Sequence, residues 1–342
     1  MESTIQSSTA RPAPGQSARS KSPVFVLGCP RSGTTLLYHM LLSAGNFAVY
    51  RTESNVFSIL QPRFGDLALK RNRSELLEHW IRSRLFRETG LAAEAISEKI
   101  MVECHTAGDF LRITMEETAR RQGVERWADT TPDHLLYIPQ IKKEIPNALI
   151  VHIIRDGRDV ALSYVKQGWA HPLPWDRDEE LAVAGLYWEW IVSQGRRFGR
   201  NLGADYYELR YEDLLRDPQE TLQDLGQFIA QELNYDHIRS VGIGSVTVPN
   251  SSFEQGAHFN PVGRWSEHMT PRQLQEFEAL TGKYLQELGY PIGSAGKSSL
   301  KTMRLRFAYR AWFSSRHFLK NRTLLGRFSP IGRMGIQNSS LL

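Results

Sequence analysis

The chain begins with a polar stretch and then alternates short apolar runs with longer segments of helical periodicity. Residues 1–22, rich in Ser, Ala, Pro and Gln, predict a disordered leader. Pro23-Val24-Phe25-Val26-Leu27-Gly28 is a continuous apolar run ended by glycine, which predicts a strand buried on both faces. From Thr34 the pattern turns helical, with Leu36, Leu37, Met40, Leu41 and Ala44 on a repeating face until Gly45 stops it. Residues 74–122 predict successive helices, one of them carrying Leu76, Leu77, Trp80, Ile81 and Leu85 on its apolar face. Ala148 to Ile154 predicts a second buried strand, which passes through Arg155-Asp156-Gly157 into a helix that includes Ser163. A long helix over 178–200, a short strand over 205–210 and helices over 218–232 and 271–288 complete the pattern, with no internal repeat. Strands separated by helices predict an α/β fold of three layers, a central parallel sheet flanked by helices. Ligands of such sheets gather at the carboxyl ends of the strands. The turns after Gly28 and after Ile154 are therefore the places where chemistry is expected.

Composition narrows the class. With 41% hydrophobic and 23% charged residues over 342 positions, the chain has the apolar material for one full-sized core, which excludes a collagen-like or wholly disordered protein. Two cysteines, Cys29 and Cys104, cannot build a disulfide framework and point to a reducing compartment. No apolar run approaches the ~18–20 residues of a spanning helix, and the leader lacks the apolar core of a secretory signal. A cytoplasmic protein is expected. The net charge of +5 first suggests an anionic polymer or surface as partner. Its placement changes that reading. From Pro291 to Leu342 there are ten basic residues and no acidic one, leaving 32 Lys and Arg against 37 Asp and Glu in residues 1–290. The body is mildly acidic and shows no nucleic-acid footprint, so the chain divides into a leader (1–22), a body (23–292) and a basic tail (293–342).

The first turn reads Gly28-Cys29-Pro30-Arg31-Ser32-Gly33-Thr34-Thr35. Its glycine spacing is that of a loop whose backbone N–H groups and following helix N-terminus cradle a phosphate. The hydroxyls of Ser32, Thr34 and Thr35 add donors. A nucleoside-triphosphate loop would carry lysine directly after the second glycine; here that position is Thr34, and the cation has moved into the loop as Arg31. A purely structural glycine turn is the bland alternative, and the strand–loop–helix setting argues against it. In the second turn, the guanidinium of Arg155 and the hydroxyl of Ser163 can together grip another phosphate. Alone, an Arg-Asp pair at a strand end is as readily a structural ion pair. Two grips on neighbouring strands suggest a ligand with two separate anionic groups.

These residues resemble the sulfotransferase family, whose donor is 3′-phosphoadenosine 5′-phosphosulfate (PAPS). Val24 to Leu37 is similar to that family's 5′-phosphosulfate loop, and the resemblance implies a P-loop-like α/β fold. Arg155 and Ser163 match the residues that hold the donor's 3′-phosphate. The segment Leu209-Arg210-Tyr211-Glu212-Asp213-Leu214 is similar to one in which a tyrosine approaches the cofactor. Val262-Gly263-Arg264-Trp265 resembles a late loop whose basic residue closes over the phosphates. The motifs follow the family's order over residues 23–290. The resemblance implies Arg31, Ser32, Gly33, Thr34, Thr35, Arg155, Ser163, Tyr211, Gly263 and Arg264 as donor-binding residues. Arg31 would also stabilise the leaving charge.

A proton must leave the acceptor. Glu53, in Tyr50-Arg51-Thr52-Glu53, matches a glutamate base of the family's protein-tyrosine branch and is expected near a strand end; His105 is the rival base, with a capping or core role as its bland alternative. One position departs from the family: in Trp127-Ala128-Asp129-Thr130-Thr131-Pro132-Asp133-His134, Thr130 stands where the family often carries lysine, so either Arg31 and Arg264 supply the charge there, or activity is low, or this segment aligns differently. An activated donor calls for no metal, and the ten histidines form no ligand pattern. The acceptor is expected to be a small molecule, lipid or glycan. Two other readings stand beside this one: a kinase-like phosphotransferase with Asp156 as magnesium ligand, and a silent nucleotide-binding homologue. In the tail, residues 297–328 mix arginines with apolar side chains. Leu300, Met303, Phe307, Ala311 and Phe318 share a helical face, while Leu305, Trp312 and Phe313 lie off it. A helix packed on its own domain or on a second copy is expected, with a peripheral contact to anionic lipid or an acidic partner as the sharper alternative.

Overall fold

The computed structural model describes residues 18–50, 52–243, 260–293 and 299–328. Most of the expected leader (1–17), Arg51 and the ends of the tail lie outside the described residues. β1 (Val24–Leu27) leads through the first turn into α1 (Thr34–Ser43). A π turn (Val56–Leu60) passes into α2 (Gln61–Phe64), then α3 (Lys70–Ile81), α4 (Arg84–Thr89), α5 (Ala93–Glu103) and α6 (Ala107–Arg121). β2 (Ala128–Asp129), a 3-10 turn (Pro132–Tyr137) and α7 (Ile138–Glu144) precede β3 (Leu149–Ile154) and α8 (Gly157–Lys166). After α9 (Glu180–Gly199), β4 (Tyr206–Arg210) runs directly into α10 (Tyr211–Arg216), α11 (Pro218–Ile229) and α12 (Tyr235–Val241). α13 (Trp265–His268), α14 (Pro271–Glu287), α15 (Leu300–Arg322) and a 3-10 turn (Leu324–Phe328) follow.

The sheet is parallel throughout, in the order β2-β1-β3-β4. Val24 pairs with Ala128 on one side and with Leu149 on the other, and Ile154 pairs with Arg210. Because the side chains of a strand alternate between faces, each apolar run feeds two cores. Phe25, Leu27, Ile150 and Ile154 join the cluster built with Phe110 of α6 and Trp188 and Ile191 of α9. Val24, Val26, Val151 and Ile153 join the opposite cluster, built with Leu37 and Leu41 of α1 and Leu222 and Leu225 of α11. Burial on both faces is why these strands read as unbroken apolar runs rather than as alternation.

The sequence pattern did not predict β2, α7, α10 or α12, each too short for a helical or strand period to declare itself. The last residues of the expected leader belong to the folded body. Arg126, fully buried, donates from Nε to Ser22 O (2.7 Å) and from Nη2 to Arg19 O (3.2 Å), and its guanidinium covers the Phe47 ring. Arg19 in turn pairs with Asp205 at 3.3 Å.

The tail helix α15 packs on α9 and α14, but not through the face expected from its apolar spacing. Leu305 and Tyr309 are its buried apolar side chains, joined to Val183, Leu186 and Leu280. The Tyr309 hydroxyl accepts from Leu173 N (2.8 Å) and donates to Asp176 (3.3 Å), and Trp190 Nε1 donates to Ser314 Oγ (3.2 Å).

One buried ion cluster joins the second turn to α14. The Arg158 guanidinium bonds both Asp156 (2.7 Å) and Glu278 (2.9 Å) and stacks on Trp265 at 3.7 Å. Removing one member of such a cluster strands the others without compensation. Arg158→Ala is expected to lower unfolding free energy by about 3–5 kcal/mol in urea titrations; a loss within the ~0.5 kcal/mol of a surface substitution would show that the two carboxylates find other partners.

Candidate active site

Four parallel strands deliver their carboxyl ends to one edge of the sheet. β2 leads into Thr130, β1 into Gly28, β3 into Arg155, and β4 into Tyr211. The first turn is tight because β1 and β3 approach closely here: a Cβ on Gly28 would stand 2.6 Å from Ile153 O. Arg31 (φ 75°) and Gly33 (φ 95°) take left-handed conformations, and a Cβ on Gly33 would stand 2.2 Å from the Tyr211 ring. The Ser32 N–H closes the turn on Cys29 O at 3.0 Å, so it serves the loop itself rather than standing free for an anion. α1 starts without a side-chain cap, and the amides of its first turn keep the orientation that favours an anion.

The second turn interlocks with the first. Arg31 Nε donates to Ser163 Oγ (2.9 Å), and its guanidinium lies 5.7 Å from the Trp169 ring. Arg155 donates from Nη1 to Arg31 O (2.9 Å) and from Nη2 to Pro261 O (2.5 Å), and stacks 4.6 Å over Tyr211. Burial lowers the Arg31 pKa, and the Arg155 charge lowers it further. Two buried polar atoms here, Ser32 Oγ and Arg155 Nε, have no hydrogen-bond partner among the described residues. Such atoms cost free energy unless something else satisfies them. The late loop is docked on the same turn: Asp159 accepts from Gly263 N (2.8 Å) and Trp265 N (2.9 Å). Burial lowers the Arg264 pKa, and Arg155 adds to that while Asp159 opposes it, so Arg264 shares the field of this cluster.

Arg31, Ser32, Gly33, Thr34, Thr35, Arg155, Ser163, Tyr211, Gly263 and Arg264 therefore lie on two interlocked turns, α10's first residue and the loop docked on them. Asp156, the magnesium ligand of the phosphotransferase reading, serves the fold instead. Its carboxylate accepts from the Arg158 backbone N–H (2.9 Å), capping α8, and from the Arg158 guanidinium, which leaves it committed to structure.

Glu53 does not end a strand, as expected, but lies in irregular chain before the π turn. A buried network holds that chain in place. His134 Nε2 accepts from Phe57 N–H (3.2 Å), so its proton sits on Nδ1, bonded to Asp129 at 2.9 Å. Thr131 Oγ1 accepts from Asn55 N–H at 3.2 Å. The Glu53 residue stays open to solvent, yet the surrounding protein desolvates its carboxyl. That effect, with the charges of Asp133 and Asp129, pushes its pKa up to about 7, against a hydrogen bond from Asn55. His105 is exposed just before α6, where its backbone N–H donates to Asp109 (3.1 Å); the helix is capped by Thr106 and Asp109, not by the imidazole. Thr130 is buried, and its Oγ1 has no partner among the described residues.

Several neighbours escaped the sequence reading. The Asp133 charge reaches Glu53, Cys29 and Tyr187, and Tyr187 donates to it at 3.4 Å. Tyr164 stands against both Tyr187 (5.4 Å) and Trp169 (5.7 Å), an aromatic wall beside the first turn. The Asp129-to-His134 spacing was the available signal, and it gave no reason to pair the two before β2 and the following turn were known. Among the described residues no group of three or more His, Cys, Asp or Glu is placed to hold a metal ion, and no helix is long and apolar enough to cross a membrane.

Comparison with known proteins matches residues 23–235 to the sulfotransferase family. Bovine sulfotransferase 1A1 is 29% identical over 155 residues, 40% of this chain and 52% of its own length. An uncharacterised Aquifex aeolicus protein is 26% identical over 221 residues, 63% of this chain and 26% of its own length. The chain thus spans about half or less of these relatives. The sulfotransferase domain of the curacin biosynthetic pathway superposes with a TM-score of 0.47 at 15% identity, covering 80% of this chain and 99% of that domain.

The Glu53 carboxyl is expected to titrate with a midpoint near 7 in carbon-13 NMR, protonated below and ionised above. Asp133→Asn removes a charge that opposes ionisation and should move the midpoint down. An unchanged midpoint would show that Asp133 does not act on Glu53.

Proposed function

We propose that this chain, which belongs to the sulfotransferase family, moves a sulfonyl group from PAPS to an acceptor hydroxyl or amine. The observation that carries the reading is the interlock of the two turns, Arg31 on Ser163 and Arg155 on the Arg31 carbonyl. It supports a ligand with two anionic groups better than a linear triphosphate. Ser32 Oγ and Arg155 Nε, buried donors without a partner among the described residues, fit such a ligand. The donor supplies a sulfonyl group already activated by its bond to phosphate.

In this reading the chain's own residues do four things. The first turn and the N-terminus of α1 hold the 5′ end, with Ser32, Gly33, Thr34 and Thr35. Arg155 and Ser163 hold the 3′-phosphate, Tyr211 braces Arg155 from below, and Gly263 with Arg264 covers the site from the late loop. Arg31 faces the leaving oxygen, where a fixed cation stabilises growing negative charge. Because Thr130 is uncharged, Arg31 carries that task with Arg264 rather than with a lysine. Glu53 takes the acceptor proton, and its elevated pKa makes it a stronger base than an ordinary carboxylate while leaving it largely ionised above neutral pH. With Glu53 as base, this reading gives His105 no part in the proton transfer.

Thermal shift tests the grip. Adenosine 3′,5′-bisphosphate is expected to stabilise the protein more than ATP with magnesium, and Arg155→Ala or Ser163→Ala to reduce the shift. Stabilisation by ATP–magnesium alone would favour phosphoryl transfer. Glu53→Gln should retain the bisphosphate shift while lowering turnover about 10²–10⁴-fold, and the wild-type rate should climb with pH through about 7. Full activity in Glu53→Gln rules out the base. Bisphosphate binding without turnover in the wild type would mark a silent homologue.

A further inference from the structure

α15 has two apolar faces, and the fold uses only one. Leu305, Tyr309 and Phe313 turn inward. On the opposite side Leu300, Met303, Phe307, Ala311 and Phe318 succeed one another at helical spacing and face solvent, with Leu300 87%, Phe307 80% and Phe318 60% exposed. The exposed row continues into Leu324, Leu325 and Phe328 of the following turn. This superposition of two stripes explains why the sequence alone shows imperfect amphipathicity: Leu305 and Phe313, off the expected face, form the packed one.

Charge is partitioned in the same way. Lys301, Arg304 and Arg306 pair with Glu179, Asp176 and Glu189 of the body. Arg310, Arg316 and Arg322 are exposed, and no acidic residue occurs anywhere in 291–342. At 100° per residue, Arg322 and Arg310 fall on either side of the apolar row.

We propose that α15 and the turn after it dock on an anionic lipid surface, with Leu300, Met303, Phe307 and Phe318 entering the acyl boundary and Arg310 and Arg322 among the headgroups. Charge complementarity selects this occupant, because the outer face offers cations and no anion. Shape agrees: a helix of 23 residues is a convex rod of about 34 Å, which lies on a plane with its whole length in contact. Large apolar side chains flanked by arginine are what such an interface stabilises, since the arginine stems can lie along apolar surface while their charges stay in water. The helix is ordered before it meets the surface, through Tyr309 on Asp176 and Asn321 on the Tyr137 hydroxyl (2.9 Å), so little ordering cost remains for binding.

Co-sedimentation of the full chain with vesicles tests the proposal. Vesicles with about one third phosphatidylserine should pellet the protein at low salt, while phosphatidylcholine alone should pellet at least about tenfold less, given roughly fivefold per basic residue at an anionic surface. The double variants F307S/F318S and R310Q/R322Q should each reduce pelleting at least about tenfold. Their melting temperature should match wild type, because the substituted side chains are exposed. Equal pelleting with both lipids, no pelleting at all, or wild-type behaviour in both variants overturns the proposal. So does a wild-type dimer in light scattering that F307S/F318S converts to monomer, which would assign the stripe to a second copy of the chain.

Discussion

The close approach of β1 to β3 at their carboxyl ends is the constraint on which the site depends. Gly28 is the residue that permits it, since any side chain there would meet the Ile153 carbonyl. Parallel pairing then fixes the two turns side by side and brings two guanidinium groups into each other's field, Arg31 from one turn and Arg155 from the other. Burial, together with the neighbouring Arg155 charge, disfavours the Arg31 cation, and an anion placed between the turns would reverse that disadvantage. Ser163 and the carbonyls of Arg31 and Pro261 orient the guanidiniums through hydrogen bonds, and the Asp159 carboxylate, 3.9 Å from Arg155 Nη2, partly offsets the Arg155 charge.

Around this centre a second set of residues spends its charge on structure. Asp159 holds the late loop through two backbone amides, and Asp156, Arg158 and Glu278 lock the start of α8 to α14. On the other side of β1, Asp129 and His134 fix the chain that carries Glu53. The two halves of the site therefore rest on separate supports: one positions the phosphate grips, the other the base. Disturbing the second should change proton transfer while leaving nucleotide affinity intact.

Much of this was legible in the sequence because the buried strands are continuous apolar runs, and a strand that ends in glycine or arginine marks a turn at the sheet edge. That is how Gly28 and Arg155 could be expected to meet. Residues whose place depends on long-range contacts were not legible. Glu53 lies in irregular chain held by hydrogen bonds that the Asn55 and Phe57 N–H groups donate to Thr131 and His134, and no local period encodes that. Asp156 carried two readings in sequence, and only the guanidinium of Arg158 on its carboxylate decides between them. In α15 the apolar spacing identified a real stripe, but packing chose the opposite one, because Tyr309 can satisfy its hydroxyl at Asp176 and Leu173 while Phe307 and Phe318 face solvent.

Calorimetric titration with adenosine 3′,5′-bisphosphate against adenosine 5′-monophosphate measures the second grip directly. Hydrogen bonds to charged groups contribute about 1.5–3 kcal/mol each, so the bisphosphate should bind at least about tenfold more tightly, and Arg155→Ala should abolish the preference while sparing the monophosphate. Equal affinity for the two nucleotides in the folded wild-type protein, or no binding of either, would contradict a site built from two neighbouring anion grips.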